Sequence, residues 1–205
     1  MGKVLLISQD NYNQNEIDMA INRAFNHFGI SFKSGEKVLL KVNLVAAHEV
    51  SRRVTTDPAI VRAAAKFVLD FGAVPLIADS PGIDSFARAA EKSGIAQVAR
   101  ELSIECRELS DPTEINGTDF HRISVSRQVL DADKIISLAK LKTHGQMYLT
   151  LGVKNLFGCI PGRLKAGWHY NVGLNREKFA ALLLDIYGGV KPSLTILDGV
   201  IGMHG

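Results

Sequence analysis

Short apolar runs alternate along this chain with stretches in which apolar residues recur at helical spacing. Residues 4–8 (VLLIS) read as a strand and residues 15–28 as an amphipathic helix closed by Gly29. Residues 37–44 (KVLLKVNL) form a second strand in this reading. Thr56-Asp57-Pro58 then supplies a helix cap with proline in the first turn, the helix runs from Ile60 to Phe71, and Gly72 stops it. Residues 74–78 are a third strand leading into Asp79-Ser80-Pro81-Gly82, and residues 85–102 are a helix or a pair of helices. Residues 103–130 are mixed, with β-like pieces at 104–109 and 122–125. A strand at 134–139, a helix at 176–187 and a strand at 194–197 complete the pattern, and the glycine-rich residues from Gly199 on read as a loop. Alternation of this kind predicts an α/β fold: an open, mostly parallel, Rossmann-like sheet with helices on both faces. Residues 1–205 read as a single α/β domain. Because the chain stops soon after a strand and its loop, the expectation is the N-terminal part of a longer domain, with the sheet incomplete at its C-terminal end.

A chain of 205 residues with 46% hydrophobic residues can bury a sizeable core. No apolar run approaches the length of a membrane span, and MGKVLLISQD is too short in its apolar part for a signal peptide. Cys106 and Cys159 form no CxxC pair, so neither a zinc knuckle nor an iron–sulfur motif is present in this chain, and a reduced, cytoplasmic setting is expected. The net charge is only +3, yet the stretch from Lys134 to Arg176 holds seven Lys or Arg and no Asp or Glu. The basic charge is thus concentrated, and such a field attracts anions.

In open α/β sheets ligands sit beyond the carboxyl ends of the strands. Four predicted strands deliver polar groups there: Lys41 and Asn43, then Asp79 and Ser80, then Lys140, Lys142 and His144, then Asp198. Each has a plainer reading, since Lys41 would serve as a solvated strand-end lysine and Asn43, Asp79 and Asp198 as turn formers or caps. Lys140 and Lys142 flank Leu141, so both point to one face if the strand continues. Gly152-Val153-Lys154-Asn155 and residues 158–167, which contain Lys165, read as loops whose backbone N–H groups can approach an anion. The ligand-binding candidates are therefore Lys41, Asn43, Lys140, Lys142, Asn155, Lys165 and Asp198, and the catalytic candidates His144, Asp79 and Lys154. There is no GxGxxG, no P-loop and no GxSxG, and Cys159 has no base beside it and reads as a structural thiol.

Lys41-Val-Asn43, residues 55–58, Asp79-Ser80-Pro81-Gly82, Lys140-Leu-Lys142-Thr-His144, Val153-Lys154-Asn155-Leu-Phe-Gly158 and Asp198-Gly199 together resemble the prokaryotic "domain of unknown function 362" family over nearly the whole chain. That resemblance implies no established activity; some members carry a ferredoxin-like segment with two four-iron clusters, for which this chain lacks the cysteines. The spacing of His144, Lys154, Pro161-Gly162 and His169 is similar to the lactate-racemase family, which holds a nickel pincer nucleotide on a lysine. By that resemblance Lys154 would be the tether, His169 a metal ligand and His144 a proton-transfer residue. A further histidine of that family has no counterpart, because Asp79-Ser80-Pro81-Gly82 stands in its place.

Three functions compete. The first is binding of a small phosphate- or carboxylate-bearing ligand at the strand ends, as an enzyme if His144 moves a proton. The second is an accessory module of an iron–sulfur or redox partner. The third is nucleic-acid binding, which the moderate pI near 8.9 disfavours. A homo-oligomer would cover the sheet edge.

Overall fold

The computed structural model describes residues 2–204. In chain order the elements are α1 (Gln14–His27), β1 (Lys37–Lys41), α2 (Pro58–Asp70), β2 (Val74–Asp79), α3 (Phe86–Lys92), α4 (Ile95–Leu102), β3 (Glu105–Glu108), β4 (Pro112–Ile115), β5 (Ile123–Ser126), α5 (Arg127–Leu130), β6 (Lys134–His144), β7 (Tyr148–Thr150), α6 (Gly152–Asn155), α7 (Leu164–Val172), α8 (Arg176–Val190) and β8 (Leu194–Met203). Short 3-10 turns occupy Val50–Arg52 and Leu156–Cys159.

The main sheet runs β3-β2-β1-β6-β8, every neighbouring pair parallel, and β7 folds back antiparallel on the far end of β6. β4 and β5 make a separate antiparallel ribbon. Parallel strands are buried on both faces, which is why β1 is apolar almost without alternation. One face packs on α1 and α2, whose Ile17, Ile21, Phe25, Ile60, Ala64, Phe67 and Val68 meet Val38, Leu40, Ile136 and Leu138 of the sheet. The other packs on α8, through Phe179, Leu182, Leu183 and Ile186, and on Leu156, Phe157 and Ile160. The α/β class is therefore as the alternation predicts.

Local chemistry sets where the helices begin. Asn13 accepts from the Asn15 and Glu16 amides to open α1, Asp57 from Ala59 with Pro58 behind it to open α2, and Asn175 from Lys178 to open α8. Among the described residues no helix is long and apolar enough to cross a membrane.

Three expectations need correction. Residues 4–8 are not a strand: Val4 and Leu6 are 82% and 88% exposed, and the segment has no ladder partner among the described residues. An apolar run becomes a strand only where a neighbour accepts its hydrogen bonds. β6 and β8 extend well past residues 139 and 197, so residues 199–203 are strand and not loop; the last residue of that expected loop, Gly205, lies outside the described residues. Residues 152–155 form a helical turn, and helix 164–172 begins inside the expected loop 158–167. The ribbon strand β4 carries no sequence signal strong enough to single it out.

β6 and β8 are tied to α1 and α2 by a closed polar knot. Lys140 Nζ lies 2.9 Å from Asp198 Oδ2 with both side chains fully enclosed. Tyr12 Oη donates to Asp198 Oδ1 at 2.8 Å, and the Asp57 amide donates to Oδ2. Burial and the adjacent carboxylate hold the Tyr12 hydroxyl well above its ordinary range. Asp198→Asn leaves Lys140 as a buried charge with no counter-ion, at a cost of about 3–5 kcal/mol. Urea unfolding should show that loss as a lower midpoint, and a double Lys140→Met, Asp198→Leu variant should recover much of it.

Candidate functional site

The carboxyl ends of β1, β2 and β6 form one wall of a cleft of about 1300 Å³, and residues 142–169 supply most of the rest. Two glycines let that segment approach. A Cβ at Gly152 would stand 2.7 Å from the Thr195 side chain, and one at Gly158 would collide with Asp79 and Lys41. Bare backbone at these positions seats α6 and the following turn directly on the strand ends.

Lys41 and Asp79 lie at the floor, 2.8 Å apart and almost fully enclosed. Asp79 also accepts from the Leu44 and Ser80 amides, and Lys41 donates to the Val42 carbonyl at 2.7 Å. This pair is saturated. Three further lysines line the cleft without a carboxylate partner among the described residues. Lys142 Nζ donates to Asn43 Oδ1 at 2.6 Å and to the Val54 carbonyl at 2.8 Å. Lys165 Nζ donates to the Ser80 carbonyl. Lys154 Nζ has no acceptor among the described residues and lies 5.2 Å from the ring centres of both Phe157 and Phe179.

Charges placed this way repel protons. Burial pushes the Lys142 ammonium down to about 7, with Lys154, Lys140 and Lys41 adding to the fall against the pull of Asp79. Burial likewise lowers Lys154 and Lys165 to about 8 each.

His144 ends β6 in the same cleft. Its Nδ1 accepts from the Gln146 and Met147 amides at 3.2 and 3.1 Å, so the ring proton sits on Nε2 and the imidazole acts as a donor there. Burial, then Lys154, His169 and Lys142, drive its pKa down to about 4. His169 rests edge-on against Phe157 and Phe179, and its pKa is lowered by burial, Lys154 and Lys165.

Two hydroxyls on the wall, Ser80 Oγ and Thr150 Oγ1, are buried with no hydrogen-bond partner among the described residues. Buried polar groups are almost always paired, so these two are exceptions.

The strand-end reading thus brings together Asn43, Asp79, Lys142, His144, Lys154, Asn155, Lys165 and His169 in one cleft. Asn43 and Asn155 are spent on each other and on Lys142, Ser137 and the Lys41 carbonyl, and they serve as struts. Lys41 is enclosed beneath the floor; Lys140 and Asp198 are closed in the knot described above. Lys140 and Lys142 therefore share a strand but not a destination. Ser80 was among the strand-end polar groups but Thr150 was not, because nothing in a sequence distinguishes an unpaired hydroxyl from a paired one. His169 stands among cations, a poor setting for a metal ion, and no three His, Cys, Asp or Glu side chains among the described residues converge to hold one. Cys159 is wholly buried and burial raises its thiol to about 11, which makes it inert.

A family model described as "Domain of unknown function (DUF362)" matches residues 38–205. A thylakoid-associated protein of Synechocystis sp. is 37% identical over 174 residues, 84% of this chain and 54% of that protein. The chain thus spans about half the length of this curated relative. A crystal structure of a protein from Thermotoga maritima superposes with a TM-score of 0.62 at 13% identity, covering 94% of this chain and 52% of that one, which is a likeness of fold.

The three lysines fix a pH dependence. Their folded pKa values of about 7 to 8 lie below the ordinary lysine value of 10.5, so between those limits the unfolded chain binds more protons than the folded one. Stability therefore rises with pH across that window and is lost as pH falls through the folded values. Thermal unfolding in phosphate-free buffer should give a higher midpoint at pH 9 than at pH 6.5, and Lys142→Met should flatten the rise.

Proposed function

This chain belongs to the DUF362 family, and we propose that it binds a small phosphate- or carboxylate-bearing ligand in the cleft at the carboxyl edge of its sheet. The observation that carries the reading is the convergence of Lys142, Lys154 and Lys165, all without a carboxylate, on one cleft that also holds two unpaired hydroxyls. Nearby, Lys41 and Lys140 each have an aspartate. An anion would give the remaining three their counter-charge and raise their pKa values toward the ordinary range. The ligand oxygens would accept from Lys142, Lys165, Ser80 Oγ, Thr150 Oγ1 and the Nε2–H of His144.

Depth supports a small ligand over nucleic acid. Lys142 and Lys165 are only 5% and 8% exposed, whereas a polyelectrolyte needs an outward basic stripe. The cleft is also roomy enough for a substrate and not only an inorganic ion. His144, as a neutral donor among cations, would stabilise negative charge developing on a substrate oxygen.

Thermal shift against phosphate, nucleoside phosphates, mono- and dicarboxylates and a short oligonucleotide tests the reading. A ligand at about 100 times its dissociation constant adds about 2.7 kcal/mol of stability. Selective stabilisation by one small anion is expected, weakening about tenfold per pH unit above the lysine pKa values as their charge is lost. Lys142→Met should abolish it, while Lys178→Met on the exposed side of α8 should not. Absence of any small-anion shift, or stabilisation by the oligonucleotide alone, contradicts the proposal.

A further inference from the structure

We propose that Lys154 is a covalent amine: it forms an imine with a small carbonyl compound whose carboxylate or phosphate is held by Lys142 and Lys165. This rests on the anion-site reading above and names the substrate class and the chemistry of that site.

The choice among the three lysines follows from their hydrogens. Forming a neutral imine removes both hydrogens of a neutral amine. For Lys142 that would strip the donors from Asn43 Oδ1 and the Val54 carbonyl, and for Lys165 the donor from the Ser80 carbonyl, leaving buried acceptors unpaired. Lys154 donates to nothing among the described residues, so its conversion orphans no acceptor. Ring faces hold its nitrogen without directional bonds, leaving it free to turn toward a carbon in the cleft. Lys142 and Lys165 keep their nitrogens on fixed acceptors, which suits them to hold an anion in one place. A partly desolvated amine beside other cations is the standard setting of an imine-forming lysine, and the lowered pKa of Lys154, about 8, agrees.

The surrounding groups fit the step. The neutral Lys154 nitrogen attacks the carbonyl carbon, a C–N bond forms, and the C=O π pair moves to oxygen, where the Nε2–H of His144 donates to it. A proton passes from the attacking nitrogen to that oxygen, giving a neutral carbinolamine; the Ser80 and Thr150 hydroxyls, unpaired on the same wall, can relay it. The nitrogen's second hydrogen leaves as a proton, its pair closes the C=N bond, and the oxygen departs as water. Amine plus carbonyl become imine plus water, with no change in oxidation state. Lys154 is the first of the charges acting on both His144 and His169, so the amine is near both imidazoles.

Pyridoxal 5′-phosphate, an aldehyde bearing a phosphate, is the probe. The whole chain is incubated with it near pH 8, reduced with borohydride, and weighed and peptide-mapped by mass spectrometry. The expected result is one phosphopyridoxyl group per chain, on Lys154, suppressed by excess inorganic phosphate and absent from a folded Lys154→Arg variant. Pyridoxine 5′-phosphate, which has no aldehyde, separates the two levels of the argument. If it stabilises the protein but the aldehyde leaves no adduct, or the adduct maps to other lysines, the covalent role of Lys154 is overturned and the anion site stands. If neither it nor inorganic phosphate binds, both fall. The mapping is made on the unaltered chain, so it holds even if the arginine variant does not fold.

Discussion

Lys41 and Lys140 are completely enclosed, and each is held by an aspartate on a neighbouring strand, 2.8 and 2.9 Å away. Removing a lysine from water is costly unless a counter-charge and further hydrogen bonds replace the water, and at both places they do. Lys142, Lys154 and Lys165 face one cleft without an ion-pair partner among the described residues, although Asp84, Glu108 and Asp111 also line it, and the stretch from Lys134 to Arg176 holds no acid. Burial is the first cause of the lowered lysines and of the neutral His144, and the neighbouring cations add to it.

The sheet makes the arrangement possible. Parallel strands end side by side, so register places Lys41 next to Ala78 and Ser137, and Lys140 next to Asp198. A bulge between Lys140 and Lys142 against β8 separates their fates, one turned to the knot with Tyr12 and the other to Asn43 and the cleft. Gly158 then allows the turn after α6 to close over the Lys41–Asp79 pair, sealing it beneath the cleft.

Much of this was legible in the sequence and some of it was not. The alternation of buried strands with capped helices carried the α/β class, because periodicity and caps such as Asn13 and Asp57 are local signals. The rule that ligands sit at strand ends was enough to gather eight of the singled-out residues into one cleft. Which lysines own a partner depends on tertiary pairing: Lys140 and Lys154 look alike in sequence, yet one is neutralised and the other is not. Residues 4–8 carry the strongest strand pattern near the start and form none, since a ladder needs a neighbour. Helix α7 was hidden by glycines at 162, 167 and 173, which read as loop, although its buried Lys165 and Val172 anchor it.

The central claim is that the unpaired lysines take up charge when an anion arrives. Calorimetric titration of the stabilising anion at pH 8, in two buffers of different ionisation enthalpy, measures this directly. Lysines with free pKa values of about 7 to 8 that are raised in the complex require net uptake of about one proton per ligand bound. Binding with no proton uptake, the same heat in both buffers, would contradict the account.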